Sequence, residues 1–123
     1  MQCVKIERSL NNYEEEINRT IKEKRKENKY IKEVYLENNA ICIKFSINEN
    51  KSCKVRNVVV QGKAENYESK QQFIKKQTDE RRNLCGPYFI TWGVVNCLEL
   101  DGRYLLFLKR KRQGYHRKKE EVK

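Results

Sequence analysis

The sequence predicts an α+β domain with a mainly antiparallel sheet and two helices packed on it. Three observations predict it. Apolar side chains alternate in several short segments, as half-buried strands require. The pairs Asn38-Asn39 and Asp101-Gly102 sit between such segments, where a tight hairpin turn needs residues that tolerate positive φ. Two further segments carry helix signals, which gives the order strand, helix, three strands, helix, two strands.

Cys3 to Glu7 alternates, with Val4 and Ile6 on one side and Lys5 on the other, and suits a first strand. Asn12 and Glu15 have the spacing of an N-cap and its reciprocal partner. Acids crowd the first turn at Glu14 to Glu16 and bases the end at Lys24 to Lys29, as the helix dipole favours. The stripe Tyr13, Ile17, Ile21 gives that helix one narrow apolar face. Ile31 to Glu37 and Ala40 to Ile47 read as a hairpin in which Ile41, Ile43, Phe45 and Ile47 point inward while Lys44 and Ser46 face out. Val55 to Gln61 is another strand, ended by Gly62. Glu65 to Glu80 reads as a helix with a poor apolar face, and Gly86-Pro87 marks a loop after it. From Tyr88 to Leu100, and back through Leu108, runs the most hydrophobic stretch, a long hairpin expected at the centre of the sheet. Residues 1–112 form one domain in this reading, and 113–123 a basic, mobile tail.

A chain of 123 residues fits a single fold, and its 37% hydrophobic content makes the core thin, which favours self-association into a homo-oligomer. The formal net charge is +11, more than solubility requires, so a polyanion or phosphate ligand is the natural partner. Residues 1–41 carry 9 basic and 8 acidic groups, against 10 and 5 in 42–82 and 9 and 4 in 83–123, which places the anion-binding face beyond the first third. Five cysteines without a C-x-x-C pair, and a single histidine, suggest neither a disulfide framework nor a zinc site, and fit a reducing cytoplasm. No segment approaches the length and apolarity of a membrane span. No P-loop, G-x-G-x-x-G or nuclease-like acidic arrangement is visible, and His116 falls in the tail, so neither catalysis nor a cofactor or metal is expected.

The strongest candidate for chemistry is the run Lys109, Arg110, Lys111, Arg112, because alternate members of a strand face opposite sides, so two of the four can point into a pocket or groove while the other two face water. The second is Phe73 to Pro87, where Phe73 can stack on a base, Arg81 or Arg82 can grip a phosphate, and Asn83 can bond a base edge or sugar hydroxyl. Phe73 reads equally well as the core contact of a weak helix. Arg56 lies among apolar neighbours and can be aimed at an anion, although such an arginine more often faces solvent. Trp92 and Tyr88 read as core or subunit-interface residues before ligand contacts.

The aromatic and the asparagine ten residues apart at Phe73 and Asn83, followed by the arginine-rich strand, resemble the phage anti-Thoeris sponge family. The small size and the Lys, Asn and Ile-rich composition are compatible with it. The resemblance spans the last half of the chain and rests on spacing. It implies a phage-encoded homo-oligomer acting in the host cytosol, sequestering a cyclic ADP-ribose-type signal without degrading it, in pockets between subunits. Phe73 would stack on adenine, Asn83 would contact the nucleotide, and Arg110 and Arg112 would face the diphosphate. A second basic pocket for cyclic oligonucleotides would draw on Arg56 or on Lys75 and Lys76. A different reading of the same charge is a small DNA- or RNA-binding protein of a phage or mobile element, although no helix-turn-helix, RNA-recognition motif or zinc finger is present.

Overall fold

The computed structural model describes residues 2–7, 13–38, 40–49, 53–81 and 89–113. Along the chain these form β1 (Gln2–Glu7), α1 (Tyr13–Lys26), β2 (Lys29–Glu37), β3 (Ala40–Ile47) and β4 (Cys53–Lys63). A 3-10 turn at Ala64–Asn66, α2 (Lys70–Arg81), β5 (Phe89–Leu100) and β6 (Arg103–Gln113) follow. The α+β class read from the sequence is the observed one, and every strand pairing is antiparallel.

The strands form two sheets of three, ordered β1-β3-β2 and β4-β6-β5, where the sequence suggests one. They do not merge because side-chain amides occupy the edge positions where strands would otherwise pair. On the outer edge of β4, the Asn18 carboxamide of α1 accepts the Val59 N–H at 3.0 Å and donates to the Val59 carbonyl at 3.1 Å. One turn earlier, Glu14 accepts the Gln61 N–H at 3.1 Å and the Gln61 side chain accepts the Glu14 N–H at 3.3 Å. Asn57 of β4 accepts the Ile31 N–H at 2.8 Å, and Asn96 of β5 donates to the Val34 carbonyl at 2.7 Å, so the edge of β2 is held by the second sheet's side chains. Both β2 and β5 carry a bulge at these contacts, between Ile31 and Glu33 and between Val94 and Asn96.

The core shared by the two sheets contains Tyr13, Ile17 and Ile21 of α1, with Ile31, Ile41, Ile43 and Phe45 of the first sheet and Val59, Leu105 and Phe107 of the second. The narrow stripe of α1 is therefore wholly buried, as its spacing predicts. Asn28, with φ of 64°, ends that helix in the left-handed conformation that asparagine tolerates. Asn38 (57°), Asp101 (51°) and Gly102 (75°) supply the positive φ of the two hairpins. Ile47 departs from its predicted inward position and is 57% exposed, because β3 ends there beyond the reach of the core. Cys42, on the opposite face from Ile41 and Ile43, is buried as well. β6 is the centre of the second sheet, whereas its hairpin partner β5 is an edge.

The other face of the second sheet carries α2. The helix begins at Lys70, later than the sequence suggests, because the Ser69 hydroxyl caps it by accepting the Gln72 N–H at 3.1 Å. Its anchor, Phe73, is fully buried with Tyr104, Leu106 and Leu108 of β6 and packs edge-on to Tyr67 with ring centroids 4.9 Å apart. Gly62 does not end β4; it admits Phe73. A Cβ at position 62 would lie 2.6 Å from Phe73 Cε1 and 3.2 Å from Tyr67 Cε2.

Two stability outcomes follow from this packing. Gly62→Ala is expected to cost about 1–3 kcal/mol through overpacking, measured by chemical denaturation. Asn18→Ala strips both partners from Val59 and is expected to cost about 1–3 kcal/mol. It also bares the β4 edge, so light scattering should show new self-association. A variant that stays at the parent's stability and size would remove Asn18 as the cover of that edge.

Candidate functional site

In β6 the residues that face α2 are apolar at first and cationic later. Tyr104, Leu106 and Leu108 are buried beneath α2, and the next residue on that face is Arg110. Residues directly opposite one another in antiparallel strands share a face, so the pairing of Arg110 with Arg56 on β4 and with Trp92 on β5 makes one row across the sheet. The row beyond it pairs Arg112 with Lys54 and Ile90.

α2 ends over this row. Arg81, its last residue, brings its guanidinium carbon 5.8 Å from the Trp92 ring centroid, and that of Arg110 lies 5.6 Å from the same centroid. Arg81 is held in place by Nη1, which donates to the Gln77 carbonyl at 3.2 Å and to Gln77 Oε1 at 3.3 Å. Gln77 is itself buried, so this tether is rigid. Two guanidiniums thus converge on one indole, each gaining a cation–π contact worth about 0.5–1 kcal/mol when exposed and more when dry. The indole Nε1–H of Trp92 is buried and finds no acceptor among the described residues. A buried donor left unpaired costs about 1–3 kcal/mol.

The charge around this row is one-sided. β4, β5 and β6 together carry Lys54, Arg56, Lys63, Arg103, Lys109, Arg110, Lys111 and Arg112 against the single acid Glu99, whereas β1, β2 and β3 carry four bases and three acids. Nearby, Lys75 is committed to Asp79 at 2.8 Å, and Lys76 lies over the Tyr67 ring at 5.8 Å.

Of the residues predicted for binding, the structure brings Arg56, Arg81 and Arg110 to one face. Arg112 occupies the adjoining strand position, and Arg82 and Asn83 lie outside the described residues. Phe73 is a correction: its ring is fully buried between Tyr67 and Tyr104 and offers no face for stacking on a base. The aromatic on this row is Trp92, partly buried against the α2 cluster in keeping with its reading as a core residue. Its signal in the sequence was available, because a hairpin turning at Asp101-Gly102 sets Trp92 near the register of Arg110.

Among the described residues no group of three or more His, Cys, Asp or Glu could hold a metal ion, and no helix is long and apolar enough to cross a membrane. No family model, curated protein or solved structure matches this chain.

Burial governs two thiols, Cys42 on β3 and Cys97 on β5. Burial pushes Cys97 up to about 11, and raises Cys42 too, with the Glu37 carboxylate beside it adding to the effect. Cys97 therefore stabilises the fold as a neutral thiol. That contribution is complete below the ordinary thiol pKa of about 8.5 and drains away as pH climbs towards about 11. The melting temperature is expected to fall across this window, and less steeply in Cys97→Ala; equal slopes in the two proteins would overturn the assignment.

Proposed function

We propose that this chain binds and sequesters a phosphate-bearing nucleotide ligand, without catalysis, on the Arg56–Arg110–Trp92 row and the overlying Arg81. The observation that carries the reading is the convergence of Arg81 and Arg110 on Trp92, whose indole N–H lacks an acceptor among the described residues. Guanidiniums repel one another, and an anion between them turns that repulsion into charge-assisted hydrogen bonds. Phosphate accepts charge-assisted hydrogen bonds from guanidiniums, and an aromatic ring beside them suits a base. The cyclic ADP-ribose-type ligand expected from the sponge resemblance satisfies the same donors, with Trp92 in the stacking role first given to Phe73.

Trp92 is the one tryptophan in the chain, so its intrinsic fluorescence reads the site directly. Titration with phosphate, AMP, ADP-ribose and cyclic ADP-ribose should give a saturable change for the nucleotides that exceeds the response to phosphate alone. Arg81→Ala and Arg110→Ala should each weaken nucleotide binding about ten- to a hundred-fold, with circular dichroism unchanged. The ligand released by heat should be chemically intact on chromatography. Folded variants that bind like the parent would overturn the site, and a hydrolysed product would overturn the non-catalytic reading.

A further inference from the structure

We infer that Gln77 is a positioning residue of this site, fixing Arg81 over Trp92 through neutral oxygens. The Nε–Nη2 edge of the guanidinium then meets phosphate already oriented and with its charge intact. This rests on the nucleotide reading above and assigns the source of part of its affinity. Phe73, Gln77 and Arg81 follow one another at four-residue spacing on α2 and so share one face of the helix. Phe73 is the buried anchor, Gln77 is buried one turn on, and Arg81 ends the helix beside the Trp92 ring. Anchor, tether and cation therefore form a single stripe.

A glutamine buried on the packed face of a helix is costly unless its amide is bonded, and an apolar residue would bury there without that cost. What the amide does is hold Arg81. Nη1 of Arg81 donates to the Gln77 carbonyl at 3.2 Å and to Gln77 Oε1 at 3.3 Å. Both hydrogens of Nη1 thus have acceptors, while Nε and Nη2 make no hydrogen bond among the described residues. Those two nitrogens form an edge of the fork that suits bidentate recognition of phosphate. The acceptors on Gln77 are both uncharged. A carboxylate in the same place would hold the arm equally well but would cancel its charge. An arginine already held has given up its rotamer freedom on folding, so ligand binding has less ordering left to impose.

The test uses the full-length chain with AMP and ADP-ribose as probes, their affinities measured by calorimetry. Trp92 emission in the ligand-free protein reports whether Arg81 is in place. Gln77→Met keeps the length of the side chain and removes its acceptor. It should weaken nucleotide binding about two- to ten-fold, as expected for one long side chain left to be ordered, and should shift the ligand-free Trp92 emission. Gln77→Glu should keep the parent's emission yet weaken binding about ten- to a hundred-fold, as Arg81→Ala does, because the arm stays but its charge is cancelled. Gln77→Met added to Arg81→Ala should weaken binding no further, since the tether acts only through the arm it holds. Circular dichroism and melting establish that each variant is folded, and if Gln77→Met is not, Gln77→Glu decides.

A folded Gln77→Met that binds like the parent, or that weakens binding equally in the Arg81→Ala background, would overturn the positioning role and leave the nucleotide reading standing. So would Gln77→Glu with the parent's affinity. If neither nucleotide binds the parent, both fall.

Discussion

Side-chain amides placed against strand edges are the constraint on which the rest of this molecule depends. Asn18 reproduces for Val59 the donor and acceptor that a neighbouring strand would present. Asn57 and Asn96 do half as much each for β2, at Ile31 and Val34. The remaining capacity of these two amides is spent at home, since Asn57 donates to the Leu108 carbonyl and Asn96 accepts the Cys97 N–H. Asn57 thus ties the edge of β2 to β6, the middle strand of the second sheet, and buried backbone groups that would otherwise lack partners are satisfied. The same contacts fix how the two sheets face one another. Tyr13 adds a further tie, its hydroxyl donating to Asp101 at 3.0 Å and so fastening the start of α1 to the β5–β6 turn.

With one face of the second sheet given over to that shared core, the opposite face is left for α2 and for the cationic row beyond it. The division between them is set by residue type along β6. Tyr104, Leu106 and Leu108 require cover, and Phe73 provides it through the gap left by Gly62. Arg110 does not require cover, and α2 reaches its last residue as it comes level with that row. The buried cluster and the cationic row therefore occupy successive stretches of the same strands, and the rigid apolar half holds the cationic half in register. The pairings that build the site are backbone pairings, so its geometry does not rely on a loop.

Much of the fold was legible because local chemistry decides it. The Asp101-Gly102 turn, the acidic start and basic end of α1 and the stripe Tyr13, Ile17, Ile21 leave few alternatives. The split into two sheets was not legible. It depends on Asn18, Asn57 and Asn96, and an asparagine in a polar helix face or a strand has no periodicity to distinguish an edge partner from a solvated residue. Phe73 left two readings open, base platform or core contact, and the structure takes the second, while Trp92 packs against the buried cluster as its core reading expects. A lone aromatic in a polar helix stands out as available, although here it is the anchor that attaches the helix. An aromatic in an apolar strand blends into its neighbours, although strand register carries it beside Arg110. The placing of Arg110 on a strand was legible, since the run Lys109 to Arg112 continues the apolar strand that follows the Asp101-Gly102 turn.

The uneven charge of the two sheets also acts before any contact is made. A molecule with one nearly neutral sheet and one strongly positive sheet carries an electrostatic front and back, and its field extends for about 8–10 Å at physiological ionic strength. An approaching anion is turned towards the cationic rows during diffusion, so a larger share of collisions is productive and encounter accelerates. The near-neutral sheet gives such an anion little reason to linger elsewhere. Segregating the charge therefore sets the direction from which an anion approaches.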